Sequence, residues 1–364
     1  MPESGKPPFE HLRYCTRCCM PETSEGTTFD EMGICRACQS SEQKMRINWA
    51  ERERQLREIL ERHKRNSGKN YDCLVPISGG KDSAFQLHVL VKQYSMKPLA
   101  CTFSHRWFTE TGQYNLWNIL DRLGVDHVLF SPSRDLVNRI AKKSLYEIGD
   151  PCWHCHAGVG AFPLQTAVQF NIPLIVWGES VAEAGNKASY SDGVSFDETY
   201  YRTVSMKVDA RRMADGEITE KELAPFIFPS REELERVGVR GIFLGDYLFW
   251  DGERQVEFLK EAYDWREDNV EGTYKGYKSV ECRMSGVHDY AKFIKRGFGR
   301  TTDHVSQDVR AGLLTREEGF ELIKKLDPER PGQLDYYLQI TGLSEEEFVR
   351  VLKSQRAGKA EQLP

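Results

Sequence analysis

The chain has 364 residues, 40% of them hydrophobic and 29% charged, and a formal net charge of −5. This is the composition of a globular protein with room for about two domains, and the acidic balance argues against clamping a long nucleic acid through its phosphates. No apolar run approaches the roughly 18 residues of a membrane span, and the polar start "MPESGKPPFEHLRY" lacks a signal-peptide core, so a cytoplasmic protein without a membrane partner is expected.

Residues 1–45 are rich in cysteine and poor in aliphatic bulk, the mark of a module that cannot build its own core. Within "CTRCCMPETSEGTTFDEMGICRAC", Cys15 and Cys18, then Cys35 and Cys38, form two C-x-x-C knuckles, the spacing of a structural zinc ribbon. Four thiolates leave the ion no open position, so zinc catalysis is not expected there. Cys19 is the spare, able to stand in for Cys18. Residues 46–70 read as a charged linker helix, with Trp49, Leu56, Ile59, Leu60 and His63 near a helical period before "NSGKN" breaks it.

From 71 to 252 the pattern changes. The apolar runs "YDCLVPI", "KPLACTF", "DHVLFSP", "IPLIVWG" and "VRGIFLGDY" alternate with helical segments, which predicts a doubly wound parallel five-stranded α/β sheet. Ligands of such sheets bind beyond the carboxyl ends of the strands. Cys73 and Cys101 fall inside apolar runs and read as core. Residues 253–364 form a helical C-terminal extension, a candidate substrate or partner surface, with capping boxes expected at Thr315/Glu318 and Ser344/Glu347 and a frayed end, "AGKAEQLP".

The first strand ends in "SGGKDS", residues 78–83. This is not a Walker loop, because Asp82 follows Gly80-Lys81 and Val75 occupies the earlier glycine position. Gly79 and Gly80 let the backbone approach an anion, and the helix N-terminus offers it amide groups. Ser78, Lys81 and Ser83 add donors, and Asp82 can hold Mg2+. A second pair, Cys152 and Cys155 in "GDPCWHCH", reads as a redox pair, half a metal site or two buried thiols. Cys282 in "KSVECRM" would complete three ligands if folding brought it close.

"SGGKDS" resembles the loop of the adenine nucleotide alpha-hydrolase-like (PP-loop) ATP pyrophosphatases. The resemblance implies ATP held by its terminal phosphates, with the α-phosphate open to attack. It also implies a nucleotide pocket completed by the strand ends. There Thr102 and Phe103 would lie near the adenine, and Gly178, Glu179, Ser180, Asn186 and Lys187 at the sheet mouth. Lys81, Asp82 and Glu179 are then the candidate catalytic residues. The cysteine trio resembles the iron–sulfur site of tRNA thiolation enzymes, which share the loop and a zinc ribbon.

Across nearly the whole chain, "YCTRCCMPET", "GICRAC", "PISGGKDS", "CWHCH", "LGDYLFWD" and "GFGRTTDHVSQDVRAG" resemble the N-acetyl sugar amidotransferases of bacterial surface-polysaccharide and flagellin-glycan pathways. That resemblance implies adenylation of a sugar acetamido oxygen, then displacement of AMP by ammonia to give an acetamidino group. Glu179, Asp246 and His154 are candidates for the base. Asn186, Lys187, Asp246, Lys278, Arg296, Arg300, His304 and Arg310 are candidates for holding an acidic nucleotide sugar, against the alternative of a solvated basic face. The chain has neither an N-terminal cysteine nor a Gly-x-Cys-x-Gly turn. The resemblance implies ammonia from a separate glutaminase with a cyclase-like barrel subunit. The competing readings are a tRNA thiolation enzyme and a non-catalytic ATP-binding adaptor.

Overall fold

The structure, a computed structural model, describes residues 5–180, 182, 190 and 206–364. Each of the five apolar runs forms a strand: β1 Cys73–Pro76, β2 Pro98–Phe103, β3 His127–Phe130, β4 Leu174–Trp177 and β5 Arg240–Phe243. They form one parallel sheet in the order β3-β2-β1-β4-β5. The connections turn one way from β1 to β2 and β3, and the other way to β4 and β5. A crevice therefore opens beyond the ends of β1 and β4, where doubly wound sheets bind ligands.

Alternation along the strands assigns the two faces. Cys73, Val75, Leu174, Val176 and Ile242 point to one side, Leu74, Leu99, Cys101, Ile175 and Phe243 to the other. The first face is covered by α2 (Trp49–Ser67), α3 (Lys81–His88) and α4 (Glu110–Leu123), and by α8 (Gly252–Tyr263) further along the chain. On the second lie α5 (Arg134–Ile148), α6 (Trp153–Phe170) and the segment 206–228. A short α1 (Arg36–Lys44) begins within the second cysteine knuckle, capped by Cys35 and carrying Cys38, and α7 (Arg231–Val237) precedes β5. Cys73 and Cys101 are buried, as read from their apolar surroundings.

The C-terminal helices are α9 (Ser285–Arg296), α10 (Arg300–Ala311), α11 (Arg316–Leu326), α12 (Gln333–Thr341) and α13 (Glu345–Ser354). Helix α5 has two apolar stripes, and this attaches them: Leu136 and Ile140 face the sheet, while Val137, Ala141 and Leu145 pack on Val287, Ile294, Tyr337 and Phe348. A further cluster joins Leu12, Tyr14 and Cys19 to Val305, Phe320 and Ile323. The cysteine module thus takes much of its apolar support from α10 and α11. Among the described residues no helix is long and apolar enough to cross a membrane.

Two local expectations need adjustment. Thr315 and Glu318 form the reciprocal capping box, but at α13 only Ser344 caps, because the Glu347 carboxylate accepts from the Tyr146 hydroxyl instead. The chain end is not frayed. Residues Gly358–Gln362 form a 3-10 turn that buries Ala360 and Leu363 in the Leu12–Phe320 cluster, and the Arg356 guanidinium donates to the Leu363 and Pro364 carbonyls at 2.6 and 2.9 Å. The sequence misleads here because only two apolar side chains anchor a polar stretch. Deleting residues 358–364 should therefore destabilise the protein by about 2–4 kcal/mol, read as a lower midpoint in chemical unfolding; an unchanged midpoint would mean that the tail contributes nothing.

Candidate functional site

Strand β1 hands over to the loop without losing its pairing, since Ile77 N–H still donates to the Cys101 carbonyl at 2.9 Å. The turn is then made at Gly79, with φ +89°, where an added Cβ would stand 2.5 Å from the Gly112 carbonyl oxygen. Only glycine fits that backbone and that approach. Its own carbonyl accepts from the Trp265 indole at 3.0 Å. Ser83 Oγ donates to the Gly80 carbonyl at 3.0 Å and accepts from Ser78 N–H at 3.2 Å, so the serines brace the loop across its mouth.

Lys81 opens α3 and is 3% exposed. Burial works against its charge, but the Asp82, Glu179 and Glu253 carboxylates hold its proton affinity above the ordinary lysine value. For Asp82 burial is likewise outweighed, by Lys81 and Lys278, and its pKa falls below the usual carboxylate range. Asp82 also accepts from the Trp250 indole at 2.9 Å. The pair is thus charged and fixed at the helix N-terminus, where an anion is favoured.

A cavity of about 670 Å³ lies over this loop. Its lining brings together Ser78, Gly80, Lys81, Asp82 and Ser83, Phe103 from β2, and Gly178 and Glu179 after β4. Cys152 and Cys155, together with Cys282, Lys278, Arg300 and His304 from the C-terminal region, also face it. A second cavity of about 580 Å³ shares Lys81, Glu179, Tyr277 and Lys278 with the first, so these residues stand between the two spaces. The basic residues of the main cavity's C-terminal wall are partnered, Lys278 and Arg300 half-buried and His304 buried, unlike a solvated basic face. Arg300 is held by Asp289 and donates to Ser279, Lys278 reaches Gln307 at 3.2 Å, and His304 Nδ1 meets the Thr273 hydroxyl at 2.7 Å. Burial, then the Lys278 and Arg300 cations, push His304 well below its ordinary pKa, so it is neutral at pH 7.

Other candidates lie elsewhere. Thr102 does not line the cavity; its hydroxyl donates to the Ile77 carbonyl and meets His127 Nε2 at 2.9 Å, which spends it on holding the strand ends. Asp246 is 3% exposed and accepts from the Ser180 hydroxyl, away from the cavity lining. His154 is fully buried under Trp107, and burial lowers its pKa to about 3, which removes it from reach as a base. Arg296 pairs with Glu25 instead, and Arg310 sits by the Cys18 sulfur at 3.8 Å. Asn186 and Lys187 lie outside the described residues.

Sequence reasoning missed Glu281. Its carboxylate lies against the loop, 3.5 Å from Ser78 Oγ, with Oε2 buried and without a hydrogen-bond partner among the described residues. Burial, reinforced by the nearby Asp82 charge, raises its pKa. An acid directly before Cys282 was the available signal. Also missed were Asp150, His156 and His288, whose donor atoms come within 4.8 Å of one another. Cys152, Cys155 and Cys282 share the cavity, but their sulfurs do not form such a group among the described residues. One ion bound by all three would bring the sulfurs to about 4 Å of each other.

The N-terminal cysteines do converge. Cys15 and Cys38 sulfurs are 3.8 Å apart, Cys18 and Cys35 3.7 Å, and all four residues are buried. Backbone N–H groups of Arg17, Cys18 and Cys35 point at the Cys15 sulfur at 3.2–3.5 Å, as they would at a metal thiolate. The thiols set one another's proton affinity: contacts with Cys18, Cys35 and Cys38 pull Cys15 down, and Cys15 drives Cys35 and Cys38 up. The donor set fits a tetrahedral zinc ion. Cys19 is not part of it; its thiol turns to the Arg316 carbonyl and packs with Val305 and Phe320.

Removing Cys38 with alanine should abolish one equivalent of tightly bound zinc per chain and unfold the module, whereas Cys19→Ala should keep the zinc. Elemental analysis checks both, and zinc loss in Cys19→Ala alone would reverse the assignment.

Residues 271–361 match the family model described as "LPS biosynthesis protein WbpG-like, C-terminal domain". That segment contains Lys278, Glu281, Cys282, Arg300 and His304, the wall that faces the loop. The chain is also similar to an uncharacterized protein of Methanocaldococcus jannaschii, 21% identical over 296 residues, which cover 81% of this chain and 87% of that protein.

Proposed function

We propose that this protein is an ATP-dependent, AMP-forming amidotransferase of bacterial lipopolysaccharide or surface-glycan biosynthesis, converting the acetamido group of a nucleotide-linked sugar to an acetamidino group. The observation that carries this reading is a single cavity. It places the 78–83 loop against a wall contributed by the segment that matches an LPS-biosynthesis domain.

ATP, bound with Mg2+, would supply the adenylyl group that turns the acetamido oxygen into a leaving group. The residues present suit it: a loop with glycines at its tightest point, a buried Lys81–Asp82 pair and the N-terminus of α3. In this reading Ser78, Gly79, Gly80 and Ser83 hold the terminal phosphates, Lys81 neutralises charge developing on the pyrophosphate, and Asp82 takes the metal. Phe103 and Gly178 flank the nucleotide, and Lys278, Arg300 and neutral His304 offer donors to the sugar nucleotide. The acetamido oxygen forms a bond to the α-phosphorus and pyrophosphate leaves. Ammonia then adds to the imidate carbon, the C–O bond breaks with release of AMP, and one proton passes to the protein. Among the described residues, Glu179 and Glu281 are the two glutamates on the cavity that can receive it. A carboxylate whose pKa is raised, as at Glu281, is the better matched base near neutral pH.

Ammonia would come from a separate glutaminase subunit with a cyclase-like barrel, and the zinc ribbon would be structural. Cys152, Cys155 and Cys282 lining the same cavity favour a second reading, a tRNA-thiolating enzyme with an iron–sulfur cluster on those thiols.

The deciding assay supplies ATP, an N-acetylated nucleotide sugar and ammonium. The expected outcome is AMP, pyrophosphate and a sugar lighter by about one mass unit, as oxygen is exchanged for NH. Sulfur incorporation into tRNA with no sugar product would establish the second reading instead. Lys81→Ala should lower kcat by about 10²–10³-fold, comparable to removal of one preorganised transition-state donor; activity within a few-fold of wild type would remove the loop from the chemistry. Glu281→Gln should abolish the rise of kcat/KM with pH, because the base works only once deprotonated; a retained acidic limb would point to Glu179. Glutamine in place of ammonium should support no turnover by the chain alone, and full turnover would dispense with the glutaminase.

A further inference from the structure

We infer that Asp150, His156 and His288 bind one divalent transition-metal ion at the edge of the main cavity, separate from the four-cysteine site. The inference does not depend on the nucleotide or sugar chemistry proposed above.

The three ligands come from two elements. Asp150 lies three residues before the start of α6 and His156 sits in its first turn, while His288 lies in the first turn of α9. Asp150 is 3% exposed, and its Oδ1 accepts from Cys152 N–H at 2.8 Å, which fixes the carboxylate. His156 Nδ1 stands 3.4 Å from Oδ2, and His288 Nε2 3.9 Å from Oδ1. The imidazoles meet edge to face, 5.2 Å between centroids, and both rings line the cavity. An ion drawn to Asp150 therefore meets both nitrogens and keeps open positions toward the cavity.

A second observation concerns the far side of a ligand. His288 Nδ1 lies 3.5 Å from the Asp289 carboxylate, itself held by Arg300 and Lys292. A carboxylate behind a histidine fixes the tautomer that leaves Nε2 free to bind metal. Two imidazoles and one carboxylate are a borderline donor set, suited to Zn2+, Fe2+ or Co2+ rather than to Mg2+ or Ca2+. The present counter-charge on Asp150 is the Lys207 ammonium, 3.2 Å from Oδ2. An incoming ion would displace it.

The test counts metal on the full chain. Protein stripped with chelator under reducing conditions is re-equilibrated with Zn2+ or Co2+, and bound ions are measured per chain. About two are expected for the wild type, and about one for His156→Ala and for His288→Ala. Cys155→Ser and Cys282→Ser should still bind two. In Co2+ protein, the signal lost in the histidine variants should be the weak one of nitrogen and oxygen ligation, with the intense thiolate bands unchanged. Lys207→Met keeps every ligand and removes the competing cation, so its second ion should bind about tenfold more tightly, roughly what one lost ion pair is worth. One ion per chain in the wild type would overturn the inference. So would two ions retained in both histidine variants, loss of the second ion in the cysteine variants alone, or unchanged second-site affinity in Lys207→Met.

Discussion

The site depends on a short backbone splice between the loop after β2 and the segment before α9. Thr109 N–H donates to the Glu281 carbonyl at 3.2 Å, Arg283 N–H to the Trp107 carbonyl at 3.0 Å, and Phe108 and Cys282 form an isolated antiparallel bridge. The Thr109 hydroxyl adds a bond to the Val280 carbonyl. Each bond contributes on the order of 1 kcal/mol, but together they fix the register of residues 280–283. That register sets Glu281 against the 78–83 loop and Cys282 at the cavity. It also requires glycine at 112, since an added Cβ would lie 2.3 Å from the Glu281 Cα. The same residue's carbonyl is the close neighbour of Gly79. One glycine in α4 therefore lets the loop and the C-terminal wall approach each other.

This splice makes the C-terminal helices part of the site. They bury one side of α5 and support the cysteine module through Val305 and Phe320, so the first and last parts of the chain share a core. Four thiols surrounding an ion cannot supply the apolar area that a small module needs, and here α10 and α11 supply it. Metal binding at Cys15, Cys18, Cys35 and Cys38 would then stabilise more than residues 1–45, because it pins the surface on which α10 rests. Arg310 shows the connection directly, reaching the Cys18 sulfur while lining the second cavity.

Charge in the cavity follows one rule: burial disfavours every ion, and each ion that persists has a fixed opposite partner. Lys81 has Asp82, and Arg300 has Asp289 behind it. Glu281, with an Oε2 that has no partner among the described residues and a raised pKa, departs from the rule; so do Lys278, which reaches the neutral Gln307 amide, and His304, buried beside cations and therefore neutral. Such departures in a cleft are where proton transfer or ligand binding is expected.

Local chemistry is what the amino-acid sequence specified by itself. Five apolar runs separated by helical segments determine a parallel sheet, since alternation of that length has few other ways to bury both faces. The C-x-x-C spacing determines the four-cysteine cluster, and "SGGKDS" after a strand determines a glycine turn entering a helix, because both depend on residues within one short stretch of chain. Glu281, the Asp150–His156–His288 group and the retirement of Thr102, Asp246 and His154 to supporting roles were decided only by tertiary structure. Those outcomes depend on which distant segments meet: a hydroxyl is spent or free according to its neighbour, and donors 132 residues apart, as in His156 and His288, converge only once the C-terminal helices pack on α5.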